Sequence, residues 1–219
     1  MSGVKLRDGL FAILALGLAF ALLAYEPREN LDQSQSISDG TITFFYAPEF
    51  GLAVTPEQIL VRSYIPPCDE DFDYCLYLIS GEYQGTNFES AGLRIKERAN
   101  LGSPEACLNT PPEGYTVFEP EIHTGQEYAT SVFAPVGGAG AGHYARGALY
   151  RLFYDSRCYE FETRIGESQF ANYPLGAIKE FTDQDRTEVM THLLEVLNSI
   201  SLPDGRKNLF APSGSILVS

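Results

Sequence analysis

Between residues 41 and 165 the chain is cut into eight short runs of strand-forming residues: TITFFY (41–46), ILVRSYI (59–65), YCLYLIS (74–80), AGLRIKER (91–98), YTVFE (115–119), EYATSVFAPV (127–136), ALYRLFY (148–154) and CYEFETRI (158–165). Tyr, Phe, Val, Ile and Thr dominate the runs, and Gly, Pro, Asn and Asp stand between them. That composition suits a pleated, half-buried surface. Short connections imply mostly antiparallel pairing. One hairpin can be tested for register. A two-residue turn at Asp155-Ser156 sets Leu152 opposite Tyr159 and Arg151 opposite Glu160, apolar against apolar and cation against anion. A slip of one residue would set Arg151 opposite Phe161.

One long helix signal follows. From Asp183 to Ile200, Val189, Leu193, Val196, Leu197 and Ile200 fall on one apolar stripe. Thr182 with Asp185 has the pattern of a capping box, Asp183 and Asp185 suit the positive end of the helix dipole, and Leu202-Pro203 stops it. A shorter helical turn is expected around Pro104–Leu108. The expected fold class is α+β: a mostly antiparallel β-sheet with a C-terminal amphipathic helix packed on one face, after an N-terminal apolar helix.

That N-terminal helix is the apolar run from Leu10 to Tyr25, 16 residues preceded by Lys5 and Arg7. A membrane span needs about 20 residues and the core of a signal peptide roughly 7–15. Residues 1–25 therefore read as a signal peptide or an N-terminal membrane anchor, with candidate cuts after Ala21 or Ala24. Both readings leave the rest of the chain extracytoplasmic, anchored or secreted, because Lys5 and Arg7 stay inside. Residues 26–40 read as a linker, 41–202 as a single α+β domain and 203–219 as a loosely ordered tail.

Four cysteines, Cys68, Cys75, Cys107 and Cys158, all follow the leader. In an oxidising compartment an even number suggests two disulfides, with three connectivities possible. Pairing Cys68 with Cys75 would staple the acidic stretch DEDFDY and leave Cys107 and Cys158 to join distant segments. No C-x-x-C spacing supports zinc. Fifteen Lys and Arg against 29 Asp and Glu give a net charge of −14. This excludes a phosphate-tracking nucleic-acid binder and docking on anionic lipid through basic patches. Membrane contact is expected only through residues 10–25.

Candidate sites are few. GGAGAG (137–142) before His143 lacks the Lys and the helix start of a phosphate loop, and is expected to be a flexible hairpin loop. His123 and His143 flank candidate strands and, with Glu119 or Glu121, would make a metal or acid–base cluster if they met at one sheet end. His192 lies off the helix stripe and is expected to be solvated. Asp69, Asp71 and Asp73 would be calcium ligands, although the EF-hand pattern is absent. Tyr74, Tyr77, Tyr83 and Phe88 are expected to be core residues or, as the alternative, a stacking surface. No nucleophile stands in a recognisable frame, and Ser213 falls in the tail.

The stretch CYEFETRIGESQFANYPLGAIKEFTDQDRTEVMTHLLEVLNSI (158–200) resembles a C-terminal pattern of exported bacterial proteins. That pattern has a Cys-Tyr-Glu strand, an Asn-Tyr-x-x-Gly loop, a Glu-Phe-Thr helix start and a final helix ending near Leu-x-Ser. ITFFYAPEFGLAVTPE (42–57) resembles the first hairpin of PsbP-like α/β/α sandwich domains, whose terminal helix closes the sheet. The resemblance implies a small accessory domain that binds something, with no catalytic residue and no cofactor carried over. The expected function is that of a non-enzymatic binding or accessory module, its partner an envelope protein or a small ligand. The alternative is a hydrolase or metal-dependent enzyme centred on His123 and His143.

Overall fold

A computed structural model of the chain describes residues 34–79, 81–112, 119–125 and 127–210. Among the described residues nine strands are formed: β1 (Gln35–Ser38), β2 (Thr43–Tyr46), β3 (Phe50–Ala53), β4 (Tyr74–Leu78), β5 (Phe88–Glu97), β6 (Glu121–Thr124), β7 (Tyr128–Gly140), β8 (His143–Tyr154) and β9 (Arg157–Ser168). Helix α1 spans Pro104–Asn109 and helix α2 spans Asp183–Ser199. β1 and β2 make a hairpin of their own. The other seven form one sheet in the order β3-β4-β5-β9-β8-β7-β6, antiparallel throughout. The fold is α+β, as expected. The N-terminal apolar helix and most of the linker lie outside the described residues.

The β8–β9 hairpin has the expected register, Arg151 opposite Glu160 and Leu152 opposite Tyr159. Asp155 and Ser156 stand at φ 48° and 60°. Positive φ at both central residues is the turn geometry whose twist matches that of paired strands. At the start of α2, Asp185 donates its amide to Thr182 Oγ1 at 3.2 Å, and Thr182 donates its amide back to Asp185 Oδ2 at 2.7 Å. The helix then buries Val189, Leu193, Val196 and Leu197 against one sheet face carrying Leu93, Ile95, Tyr150, Leu152, Tyr159 and Phe161. Phe44 and Tyr46 of β2 join the same core.

Several boundaries differ from the sequence expectation. Residues 59–65 form no strand: they follow a 3-10 turn at Pro56–Gln58, and Leu60 and Tyr64 are 78% and 64% exposed. The two prolines that follow offer no backbone donors, which discourages a ladder there. The glycine run is not a loop. β7 continues through Gly140, paired with β8, and only Ala141 and Gly142 turn, at φ 52° and 80°. Short strands form at Gln35–Ser38, inside the expected linker, and at Phe50–Ala53 and Glu121–Thr124. The expected run 115–119 falls almost wholly outside the described residues. In the tail, Leu209 and Phe210 are buried, and the Phe210 ring meets Tyr150 and Phe161 edge-on at 5.5 Å each.

Candidate functional site

The sheet face turned away from α2 is also covered. One cover is α1, stapled through Cys107–Cys158; the other is the irregular segment 54–73, stapled through Cys68–Cys75. Two disulfides of this kind suit an oxidising compartment. Segment 54–73 lies directly on strand backbone where side chains are missing. A Cβ on Gly92 would fall 2.6 Å from the Pro67 oxygen, and one on Gly166 would fall 2.7 Å from Ile65 Cβ. Cover on both sides buries a row of charged residues that a one-sided sheet would leave in water.

The row runs across β5, β9 and β8. Arg94 Nη2 donates to Glu160 Oε1 and Glu162 Oε2, each at 2.8 Å. Arg151 donates to Glu160 Oε2 from Nε at 3.0 Å and also hydrogen-bonds the Cys107 and Thr110 carbonyls of the α1 cover. Arg164 donates to Glu162 Oε1 at 2.8 Å and grips Asp69 with both terminal nitrogens, at 2.6 and 2.8 Å. Burial pulls the Arg151 guanidinium down from its ordinary range against the opposing pull of Glu160. Burial opposes the charge of Arg164 too, but Asp69 and Glu162 outweigh it and hold its pKa above the ordinary value. The hydrogen bonds from Arg164 hold the Asp69 carboxyl below the usual carboxylate range. Bidentate pairing of this kind is the strong form of an Arg–carboxylate contact.

At the end of this row the cover is incomplete. A cleft of about 390 Å³ opens between the Ile65–Asp69 stretch and the β7–β8 ribbon, lined by Gly138, Ala145, Gly147, Glu162 and Arg164 among others. Its floor is backbone, because the strands carry glycine or alanine there. Beyond it, the Tyr64 ring stacks on His143 at 4.0 Å. Glu89 ties the two segments: one carboxylate oxygen meets His143 Nδ1 and the other accepts the Ile65 amide at 2.9 Å. Volumes of this order hold small ligands, and a few fixed polar groups in such a cleft set their orientation.

The histidine cluster is corrected by register. His123 pairs with Thr130, which pairs with Leu152, while His143 lies nine positions away along β8. At the rise of a β-strand this is about 30 Å. His123 instead sits 3.2 Å from Glu121 on the exposed edge strand. The constellation on which a hydrolase or metal enzyme would rest is therefore not assembled. His192 is half-buried and lies 3.8 Å from Glu49, not simply solvated.

The three aspartates considered for calcium each have a partner within the fold. Arg164 holds Asp69, Lys96 holds Asp71, and Asp73 accepts the Glu97 amide at 2.6 Å. Among the described residues no group of three or more His, Cys, Asp and Glu side chains is placed to hold a metal. Tyr77 and Tyr83 are buried, and Tyr83 and Phe88 pack with Phe181 in the core. Ser213 lies outside the described residues. Arg94, Glu162 and Arg164 were not signalled as a site, since alternation of charge with Tyr159, Phe161 and Thr163 reads as an ordinary solvated face. The one local signal was the Arg151–Glu160 pairing.

No known family profile matches the chain, and no curated protein matches it in sequence. Among solved structures, the chain is similar to cyanobacterial PsbP (CyanoP) from Synechocystis sp. PCC 6803, with a TM-score of 0.44 and 9% identity over 83% of this chain and 99% of that one. This is a weak PsbP-like resemblance.

Proposed function

We propose that the chain is an exported, non-enzymatic binding or accessory module of a bacterial envelope, and that the cleft over Arg164 is its ligand site. The observation that carries this reading is the cleft itself, which opens beside the covered part of the sheet face and is lined by a buried guanidinium. The charged side chains around it are tied to one another by ion pairs, an arrangement suited to holding and orienting a ligand. The glycine and alanine floor keeps backbone within reach of a bound molecule. Two disulfides support the extracytoplasmic setting.

The test is a screen of small polar and aromatic compounds against the isotope-labelled, oxidised protein, read by backbone amide shifts. Binders are expected to move Gly138, Ala145 and Gly147 together. Binders that consistently move the β6 edge instead, or a broad screen that moves none of these three amides, would remove the cleft as the site.

A further inference from the structure

We infer that the cleft takes a small organic carboxylate, whose carboxyl group replaces that of Asp69 on the Arg164 guanidinium; this rests on the cleft being the binding site. The argument begins with a charge count. The buried row holds three guanidiniums, Arg94, Arg151 and Arg164, against two carboxylates, Glu160 and Glu162, all less than a tenth exposed. Arg98, at the more exposed margin, lies 3.8 Å from Glu160 and 3.7 Å from Asp71 and stands outside this count. The Nε of Arg94 has no acceptor, as expected where donors outnumber carboxylate oxygens. Lys96 is matched by Asp71. Within the buried row, three guanidiniums against two carboxylates leave one positive charge, and a buried charge needs a partner.

Asp69 supplies it, from an unusual position. Its side chain is 50% exposed, against 10% for Arg164, and it stands on the irregular cover segment, not on a strand. Both carboxylate oxygens occupy the Arg164 fork, the geometry a ligand carboxylate would adopt. Glu162 is a poorer candidate for exchange, being buried and shared with Arg94. On release, the Asp69 carboxylate has water beside it, where an unpaired charge costs little.

The surroundings narrow the ligand class. Replacing one monoanion by another keeps the balance of the row, whereas a phosphate dianion would add a charge beside Glu162. The floor by Gly138 is open, with nothing within 4 Å of a Cβ built there, and accepts the flat apolar part of the molecule.

The test uses the oxidised chain and its Asp69→Asn and Asp69→Ala variants, titrated with benzoate, its neutral counterpart benzamide, and inorganic phosphate. Benzoate is expected to shift the amides of Gly138, Ala145, Gly147 and Arg164, and to bind both variants about tenfold more tightly than the parent, the scale of one charge-assisted contact. Benzamide is expected to gain nothing from either substitution, and phosphate to bind more weakly than benzoate. Arg164→Lys, checked for folding by its melting curve, is expected to lose the gain when combined with Asp69→Asn. Because Asp69 is half-exposed and off the strands, its variants carry the test even where Arg164→Lys does not fold. Unchanged benzoate affinity in both Asp69 variants, an equal gain for benzamide, or tighter binding of phosphate would each overturn the inference. If benzoate and benzamide move the cleft amides without regard to Asp69, the carboxylate assignment falls and the cleft stands as a binding site. If benzoate moves none of these amides even in the variants, the assignment falls as well, and the compound screen decides the cleft.

Discussion

Arg151 is 1% exposed, and its guanidinium joins Glu160 to the carbonyls of Cys107 and Thr110. Truncating it to alanine leaves Glu160 buried with fewer partners and two carbonyls without their donor. Breaking a buried pair in this way costs about 3–5 kcal/mol, so the Arg151→Ala urea midpoint is expected to fall by the equivalent amount, with a native-like slope. Tyr150 offers a second test. Burial pushes its phenol up to about 12, against an unfolded value of about 10. The folded state therefore keeps the proton longer. Its contribution is complete below pH about 10 and is lost as pH rises through about 12, a change of roughly 2–3 kcal/mol. Tyr150→Phe is expected to lose less stability than the parent between pH 9 and 12, measured by denaturant unfolding at each pH. An equal loss in both would remove Tyr150 as the source. Neither buried role was legible from a single strand: alternation separates Tyr159 and Phe161 from Glu160 and Glu162, but only the distant covers decide that both faces are dry.

The elements that were legible are those specified by their own neighbours in sequence. α2 has its cap, its stripe and its stop within twenty-odd residues, and the β8–β9 hairpin has complementary pairs on both sides of its turn. The 59–65 run failed because strand formation needs a neighbour, and no short-range pattern shows that the neighbouring edge is absent. The glycine run failed in the opposite sense, since pairing with β8 overrides the weak strand preference of glycine. The covers make their own prediction. Cys107–Cys158 closes a loop of 51 positions and Cys68–Cys75 one of 7. Loop entropy assigns them about 4 and about 2 kcal/mol. The double variant Cys107→Ser/Cys158→Ser is expected to melt well below Cys68→Ser/Cys75→Ser, and the reverse order would contradict a role set by loop length.

On the scale of the whole molecule, the aromatic face of the sheet is closed by pieces from far along the chain. Phe210 lies on Tyr150 and Phe161. The stretch before it is fastened by Arg206, which pairs with Glu127 at 2.5 Å and lies over the Tyr128 ring. Phe210→Ala is expected to cost about 3–5 kcal/mol, read from the denaturant midpoint; a loss under 1 kcal/mol would return this segment to a loose tail. Docking so late in the sequence also sets a clock. A growing chain can zip β8 to β9 as soon as both have been made, yet the patch at Tyr150 and Phe161 is not closed until residue 210 has been made. Ribosome-held chains stopped at residue 202 are expected to be cut readily by protease, and chains carrying residue 210 clear of the ribosome to resist it.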